Sequence, residues 1–266
     1  MAFYRSHDRE NYFVEFGAGK PIVLLHGIGN SGRAWGPQIA PLVQSGYRVI
    51  VPDLVGHGAS SRIDKPYGVA EFACDVVALL DHLAIESADM VGLSLGGIVA
   101  LELALTSPVR VQRLVLANSF ATTATDAFQG AAQQWAHTFR CEHGPVLRFE
   151  TAWPLNLSES FRNSEAGIRT WQVWHGIAAT VDGPSLAHVT EGVMGYDVST
   201  RLASIDKRAL VIAGSDDSIS PPAISRAIAA DLAHARFHEI AGAAHISNVD
   251  SSDAFNDALL GFLSEQ

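Results

Sequence analysis

Five short runs of continuous apolar residues punctuate the chain, at 21–25, 48–51, 89–92, 113–117 and 209–213. Each is rich in Val, Ile or Leu and is bounded by polar residues or Gly. Runs without polar alternation suit strands of a parallel sheet covered on both faces. Between them the period changes. Over 69–83, the positions Val69, Phe72, Val76, Leu79, Leu80 and Leu83 fall on one stripe, which predicts an amphipathic helix. The stretch 96–105 is small and apolar, as a helix packed closely on a sheet should be. Two more helices are predicted at 222–232 and 252–263, and the run 236–240 reads as the last strand. Strands alternating with helices imply βαβ units and a mostly parallel central sheet flanked by helices.

One segment breaks the alternation. Over 121–200 no buried strand is predicted, and four of the five tryptophans fall there: Trp135, Trp153, Trp171 and Trp174. Pro154, Gly167, Gly176 and Pro184 punctuate it. We read 121–200 as a helical insertion, and 1–120 together with 201–266 as one core domain. A length of 266 residues with 48% hydrophobic and 17% charged residues is enough to bury one large core.

Composition narrows the partners. The formal net charge is -10 and no run of Lys or Arg stands out, so a nucleic-acid partner is not expected. An anionic small substrate stays open, because one local Arg can act against a global acidic field. The two cysteines, Cys74 and Cys141, have no framework or metal spacing and read as reduced thiols. Residues 1–10 are polar, with Arg5, His7, Asp8 and Arg9, and no run is long enough to span a membrane. A soluble, cytoplasmic protein without a membrane partner is expected.

The sharpest chemical signal is Gly92-Leu93-Ser94-Leu95-Gly96. It has the form G-x-S-x-G, follows an apolar strand and precedes a helix, which is the context the motif requires. A chance match is common for the bare pattern; the flanking strand and helix separate this one from it. Glycines on both sides let a tight, strained turn close around the serine and present its hydroxyl above the sheet edge. A serine needs a base to become a nucleophile. Of eleven histidines, His245 follows the last predicted strand and ends above the same edge. His137, His143, His175 and His188 lie in the insertion, while His26 and His57 read as structural ties within their loops. The base needs an orienting carboxylate. The loop Gly214-Ser215-Asp216-Asp217-Ser218 offers two. Asp217 is favoured because it lies farther into the turn, and Asp216 is assigned to turn hydrogen bonds. Acyl chemistry also needs oxyanion donors. The backbone N–H of Leu95 is one candidate. The other is that of Ile28 in His26-Gly27-Ile28-Gly29-Asn30, a glycine-rich loop that lacks the phosphate-binding spacing.

In order along the chain stand Leu25-His26-Gly27, Asp53-Leu54-Val55-Gly56-His57-Gly58, Gly92-Leu93-Ser94-Leu95-Gly96-Gly97, Gly214-Ser215-Asp216-Asp217 and Ala244-His245. Together they resemble the α/β-hydrolase superfamily along nearly the whole chain. The resemblance supports Asp217 as the acid and implies that 121–200 is a helical cap over the active site. Ala244-His245-Ile246-Ser247-Asn248-Val249 and Ala34-Trp35-Gly36-Pro37-Gln38 are similar to 3-oxoadipate enol-lactonases, although Pro154-Leu155-Asn156 departs from their text. The implied activity is hydrolysis of a small ester or lactone, which can carry a carboxylate, by Ser94, His245 and Asp217 through an acyl-enzyme. An enol-lactone of aromatic catabolism is the implied substrate. No metal or organic cofactor is called for. Rival readings are a carbon–carbon bond hydrolase of ring-cleavage pathways, a broad carboxylesterase or perhydrolase, and a lactone-binding receptor on the same fold. Within the insertion Trp135 and Trp153 are candidate pocket walls, with helix packing as the equal alternative. Arg140, Arg148, Arg162 and Arg169 are candidates to meet a substrate carboxylate, and the sequence does not choose among them.

Overall fold

A computed structural model of the protein describes residues 2–265. Eight strands form one sheet: β1 (Ala2–Ser6), β2 (Arg9–Phe16), β3 (Lys20–Leu25), β4 (Tyr47–Pro52), β5 (Ala88–Leu93), β6 (Val111–Ala117), β7 (Ala209–Gly214) and β8 (Ala235–Ile240). Their order is β1-β2-β4-β3-β5-β6-β7-β8. The hairpin β1–β2 and the β2–β4 pair are antiparallel, and every pair from β4 to β8 is parallel. The ends of β3 to β7 lie within two residues of the five apolar runs, and those of β8 within one residue of 236–240. The first two strands carry no such run. In β2 only Asn11 and Phe13 are buried, and charged Glu10 and Glu15 face water. An antiparallel edge needs apolar residues on one face alone, so its signal is weak.

The helices are α1 (Gly36–Gln44), α2 (Val69–His82), α3 (Leu95–Thr106), α4 (Asp126–Arg140), α5 (Gly144–Asn156), α6 (Glu159–Arg162), α7 (Glu165–Ala178), α8 (Gly183–Gly192), α9 (Pro222–Asp231), α10 (Ser247–Asp250) and α11 (Ser252–Ser264). The pleat divides each central strand between two cores. Val23, Leu25, Met90, Leu114, Leu116 and Val211 pack on one face with Phe72 and Leu79 of α2, Leu101 of α3 and Ile228 of α9. Ile22, Leu24, Val91, Leu93, Val115 and Ile212 pack on the other with Leu42 of α1 and Phe255, Leu259 and Phe262 of α11. That two-sided cover explains the unbroken apolar runs: β5 and β7 are buried at every residue. Between β6 and β7 the chain runs through α4 to α8, and an isolated bridge from Thr122 to Asp197 closes the base of this excursion.

One charge pair is embedded at the strand ends opposite Ser94. Asp89 of β5 and Arg113 of β6 form a bidentate pair at 2.6 and 2.9 Å, with the Asp89 side chain 2% exposed. The same guanidinium donates to the Leu263 carbonyl at 2.7 Å and the Tyr47 hydroxyl at 3.0 Å. It therefore ties two strands to the C-terminal helix. Removing one member leaves a buried charge alone, which costs about 3–5 kcal/mol. Arg113→Met should lower the free energy of urea unfolding by that amount; a loss below about 1 kcal/mol would place the pair among surface bridges.

Candidate active site

The parallel strands β3, β5, β6, β7 and β8 all end at one edge of the sheet, and the candidate residues leave from those ends. Ser94 joins β5 to α3 with φ 54° and ψ -115°, a strained conformation for a residue with a side chain. Space forces the glycines around it. A Cβ on Gly92 would lie 2.2 Å from the Gly96 carbonyl oxygen, and one on Gly96 would lie 2.0 Å from that of Leu25. The turn is pinned by Ser94 N–H donating to the Ala117 carbonyl at 2.9 Å and by the Ser119 hydroxyl donating to the Ser94 carbonyl at 2.8 Å.

His245 and Asp217 meet across the ends of β8 and β7. Nδ1 of His245 lies 2.9 Å from Oδ2 of Asp217, and both side chains are buried. The Nδ1 side of the ring is thereby occupied, so Nε2 is the nitrogen left to serve the cavity that His245 and Ser94 both line. The Ser94 hydroxyl and the His245 ring share that cavity without a hydrogen bond between them among the described residues, and such contacts often tighten only around a substrate. Oδ1 of Asp217 accepts from the amides of Ile219 and Ser220 at 2.8 and 2.9 Å. Asp216 instead is exposed and takes the Ser215 hydroxyl at 2.7 Å. Burial by itself would push the Asp217 carboxyl up. The His245 charge and hydrogen bond, the Ser220 amide and the Asn118 amide outweigh it and hold it below the usual carboxylate range.

The loop after β3 faces the same cavity through Gly27, Ile28, Gly29 and Asn30. The backbone N–H groups of Ile28 and Leu95 donate to no other group among the described residues. Leu95 opens α3, where helix geometry leaves amides without partners. His26 fixes this loop. Its Nε2 accepts from the Leu54 amide at 2.9 Å, which puts the ring proton on Nδ1, 2.9 Å from the Gly27 carbonyl. Burial pulls its pKa down to about 4, so it stays neutral. Asp53 adds to the anchoring: Oδ1 accepts from Gly32 at 2.8 Å and Oδ2 from Ala59 at 2.9 Å. Trp135 and Trp153 both line the cavity, as do Phe128 and Phe139 of α4, Phe149 of α5 and Trp174 of α7. Among the described residues no three His, Cys, Asp or Glu side chains gather as a metal site, and no helix is long and apolar enough to cross a membrane.

Several supporting residues escaped the sequence reading. Asn118, at the end of β6 with φ 50°, donates from Nδ2 to Asp217 Oδ2 at 2.8 Å. Its Oδ1 accepts from the Ser247 hydroxyl at 2.6 Å, which binds the loop of His245 to the loop of Asp217. The one available signal was its place directly after an apolar strand. Asn248 donates to the Ala34 carbonyl at 2.9 Å and to Gln38 Oε1 at 3.2 Å, so the segments around Trp35 and His245 are held together. Asp250 accepts from the amides of Ala244 and Ser158 at 2.8 and 2.9 Å, and the Ile246 amide donates to the Asn156 carbonyl at 2.8 Å. These bonds tie the His245 loop to the helical excursion.

The α/β hydrolase fold pattern matches residues 20–252. The chain belongs to the α/β-hydrolase fold family. This hydrolase is 30% identical over 266 residues to a protein of Azorhizobium caulinodans provisionally named carbamate hydrolase RutD, covering 100% of this chain and 99% of that one. It is 33% identical over 254 residues to 3-oxoadipate enol-lactonase 2 of Acinetobacter baylyi, covering 94% and 91%. Among solved structures, the enol-lactonase from Burkholderia xenovorans superposes with a TM-score of 0.92 at 28% identity, over 99% of this chain and 100% of that one.

The Asn118 amide can be tested through pH. A depressed carboxyl stabilises the fold above the unfolded carboxylate pKa of about 3.9, and that contribution is lost as pH falls through the lower folded value. Asn118→Ala should cost about 1–3 kcal/mol in urea unfolding at pH 7. The gap from wild type should narrow on going to pH 3, below the pKa at which the unfolded chain takes up the proton that folded Asp217 resists. An equal gap at both pH values would show that the amide serves Ser247 and not the Asp217 charge.

Proposed function

We propose that this hydrolase cleaves the ester or lactone bond of a small substrate, with Ser94 as nucleophile, His245 as general base and acid, and Asp217 as the carboxylate that orients it. The observation that carries the reading is the 2.9 Å bond from His245 to the buried Asp217 carboxylate, in a cavity shared with a serine at φ 54°. Ser94 Oγ bonds to the substrate carbonyl carbon while its proton passes to His245 Nε2. The negative oxygen that develops rests on the N–H groups of Leu95 and Ile28, which are free to receive it. His245 then gives the proton to the leaving oxygen as the carbon–oxygen bond breaks. Water attacks the acyl-enzyme with His245 again as base, the acid departs and Ser94 regains its proton. Asp217 remains ionised and stabilises the imidazolium in both halves.

In this reading 121–200 forms a cap that shapes the pocket, with Trp135 and Trp153 as two of its walls. An enol-lactone is supported by the relatives that bear that name. A carbamate is a second reading, favoured by the name of the relative matched over the full chain, and the same attack on a carbonyl carbon would serve it. The reaction needs a soluble small molecule and no nucleic acid, and a cytoplasmic setting is consistent with it.

Three variants test the assignment on p-nitrophenyl acetate. Ser94→Ala should reduce kcat by at least about 10³-fold. Asp217→Asn should reduce it by about 10³- to 10⁴-fold, since the ring loses its orienting charge. Asp216→Asn should change it less than threefold or so, because its carboxylate meets only Ser215. Turnover that survives in Ser94→Ala would sink the reading, and a severe Asp216→Asn with a mild Asp217→Asn would exchange the two acids.

A further inference from the structure

The chain is acidic, yet the cavity in front of Ser94 is not. Among the described residues its lining contains two arginines, Arg33 and Arg148, and no Asp or Glu. The other arginines of the helical excursion are engaged elsewhere. Arg140 is paired with Glu191, Arg169 with Glu165 in an exposed bridge, and Arg162 donates from Nε to the Leu157 carbonyl. None of these three lines the cavity. Arg148 differs from them. It sits on α5 with its guanidinium 4.6 Å from the centre of the Trp135 ring. Its Nε is closed off from solvent and has no hydrogen-bond partner. No carboxylate lies within salt-bridge distance of it among the described residues.

That arrangement is costly as it stands. Buried charges are ordinarily paired, and an unpaired buried donor forfeits its hydration without return. Stacking on an indole fixes the plane of the guanidinium and recovers part of the loss. It offers no oxygen or nitrogen acceptor to the Nε proton, which stays unpartnered. Burial alone, with no opposing partner, pulls the Arg148 pKa down to about 10, so it remains a cation at neutral pH. A planar fork held against an aromatic wall, with its edge unpaired inside an apolar cavity, matches one ligand chemistry well: a carboxylate taken in bidentate fashion.

We propose that Arg148 is the specificity-determining residue of the pocket and binds a carboxylate on the substrate, so that the hydrolase takes esters or lactones bearing an acid group. The inference rests on the reading of Ser94 as nucleophile and narrows its substrate class. Trp135 is then a positioning residue that holds the guanidinium over its ring, and its place in the cavity is explained by that contact. The other tryptophan singled out, Trp153, faces Trp174 and Phe149 and belongs to the apolar wall.

The test compares two p-nitrophenyl esters of equal length, mono-p-nitrophenyl glutarate and its neutral methyl ester, on the full-length enzyme. Wild type should prefer the acid over the methyl ester by about 10-fold or more in kcat/KM, as one charge-assisted pair allows. Arg148→Met should lower the ratio of the two kcat/KM values by about 10- to 100-fold, mainly through KM of the acid, and Arg148→Lys should restore part of it. A merely structural role would lower both substrates together and leave the ratio fixed, which would overturn the proposal; so would a wild type that prefers the methyl ester. Glutarate alone, titrated calorimetrically into Ser94→Ala, gives a measurement that needs no turnover. Binding that vanishes in Ser94→Ala/Arg148→Met supports the carboxylate site even if Ser94 proves not to be the nucleophile. Absence of binding to Ser94→Ala, or binding that survives the loss of Arg148, overturns it while leaving the hydrolytic reading to the Ser94 test.

Discussion

Where α3 leaves the end of β5, the backbone of Gly96 comes so close to β3 that a single methyl group would sit 2.0 Å from the Leu25 carbonyl. On the other side Gly97 leaves the same kind of gap for Ser119, where a Cβ would fall 2.4 Å from the hydroxyl. This close approach is what allows the chain to reverse within one residue and holds Ser94 at positive φ. Backbone strain of this kind costs on the order of 1–3 kcal/mol and persists only where its surroundings over-determine it. Here they do: the Ser94 amide is bonded to β6, its carbonyl to Ser119, and the helix behind it is buried over nearly its whole length. A sheet edge thus becomes a rigid platform, and the loops from β3, β6, β7 and β8 can be set around one point.

Those loops are also bound to each other. Asn118 links the Asp217 loop to Ser247, Gln38 and Ala34 hold Asn248, and Asp250 reaches from the His245 loop to the start of α6. The consequence is mechanical. A shift of the helical excursion at Asn156 or Ser158 is transmitted directly to the residues flanking His245, because the Ile246 amide and the Asp250 carboxylate are bonded to them. The pocket walls and the His245 loop are parts of one hydrogen-bonded body, which favours a fixed geometry over independent movement.

Charge is distributed against the average of the chain. The net charge is -10, yet among the described residues no carboxylate lines the cavity, whose charged side chains are Arg33 and Arg148. A global acidic field is weakened by solvent over roughly 8–10 Å at physiological salt. An enclosed guanidinium is screened far less, so the local sign decides what the cavity attracts.

The sequence alone determined the strands β3 to β7, because two-sided burial writes itself as unbroken apolar runs, and it determined the turn at Ser94, because only glycine tolerates contacts of 2.0–2.2 Å at a Cβ position. It also brought His245 and the Asp216–Asp217 pair to the right edge, since each follows a parallel strand. It missed the β1–β2 hairpin, whose one-sided burial leaves a faint alternation among charges. It could rank Asp217 above Asp216 only by position and by resemblance; which carboxylate points inward depends on a turn closed by the amides of Ile219 and Ser220. Asn118 was silent because its partners lie 99 and 129 residues away. The four arginines were equivalent in the sequence for the same reason. Helical periodicity places each on a helix but not against a neighbour, and only the packing of α5 on α4 set Arg148 over Trp135, in the cavity lining and with its Nε unpartnered.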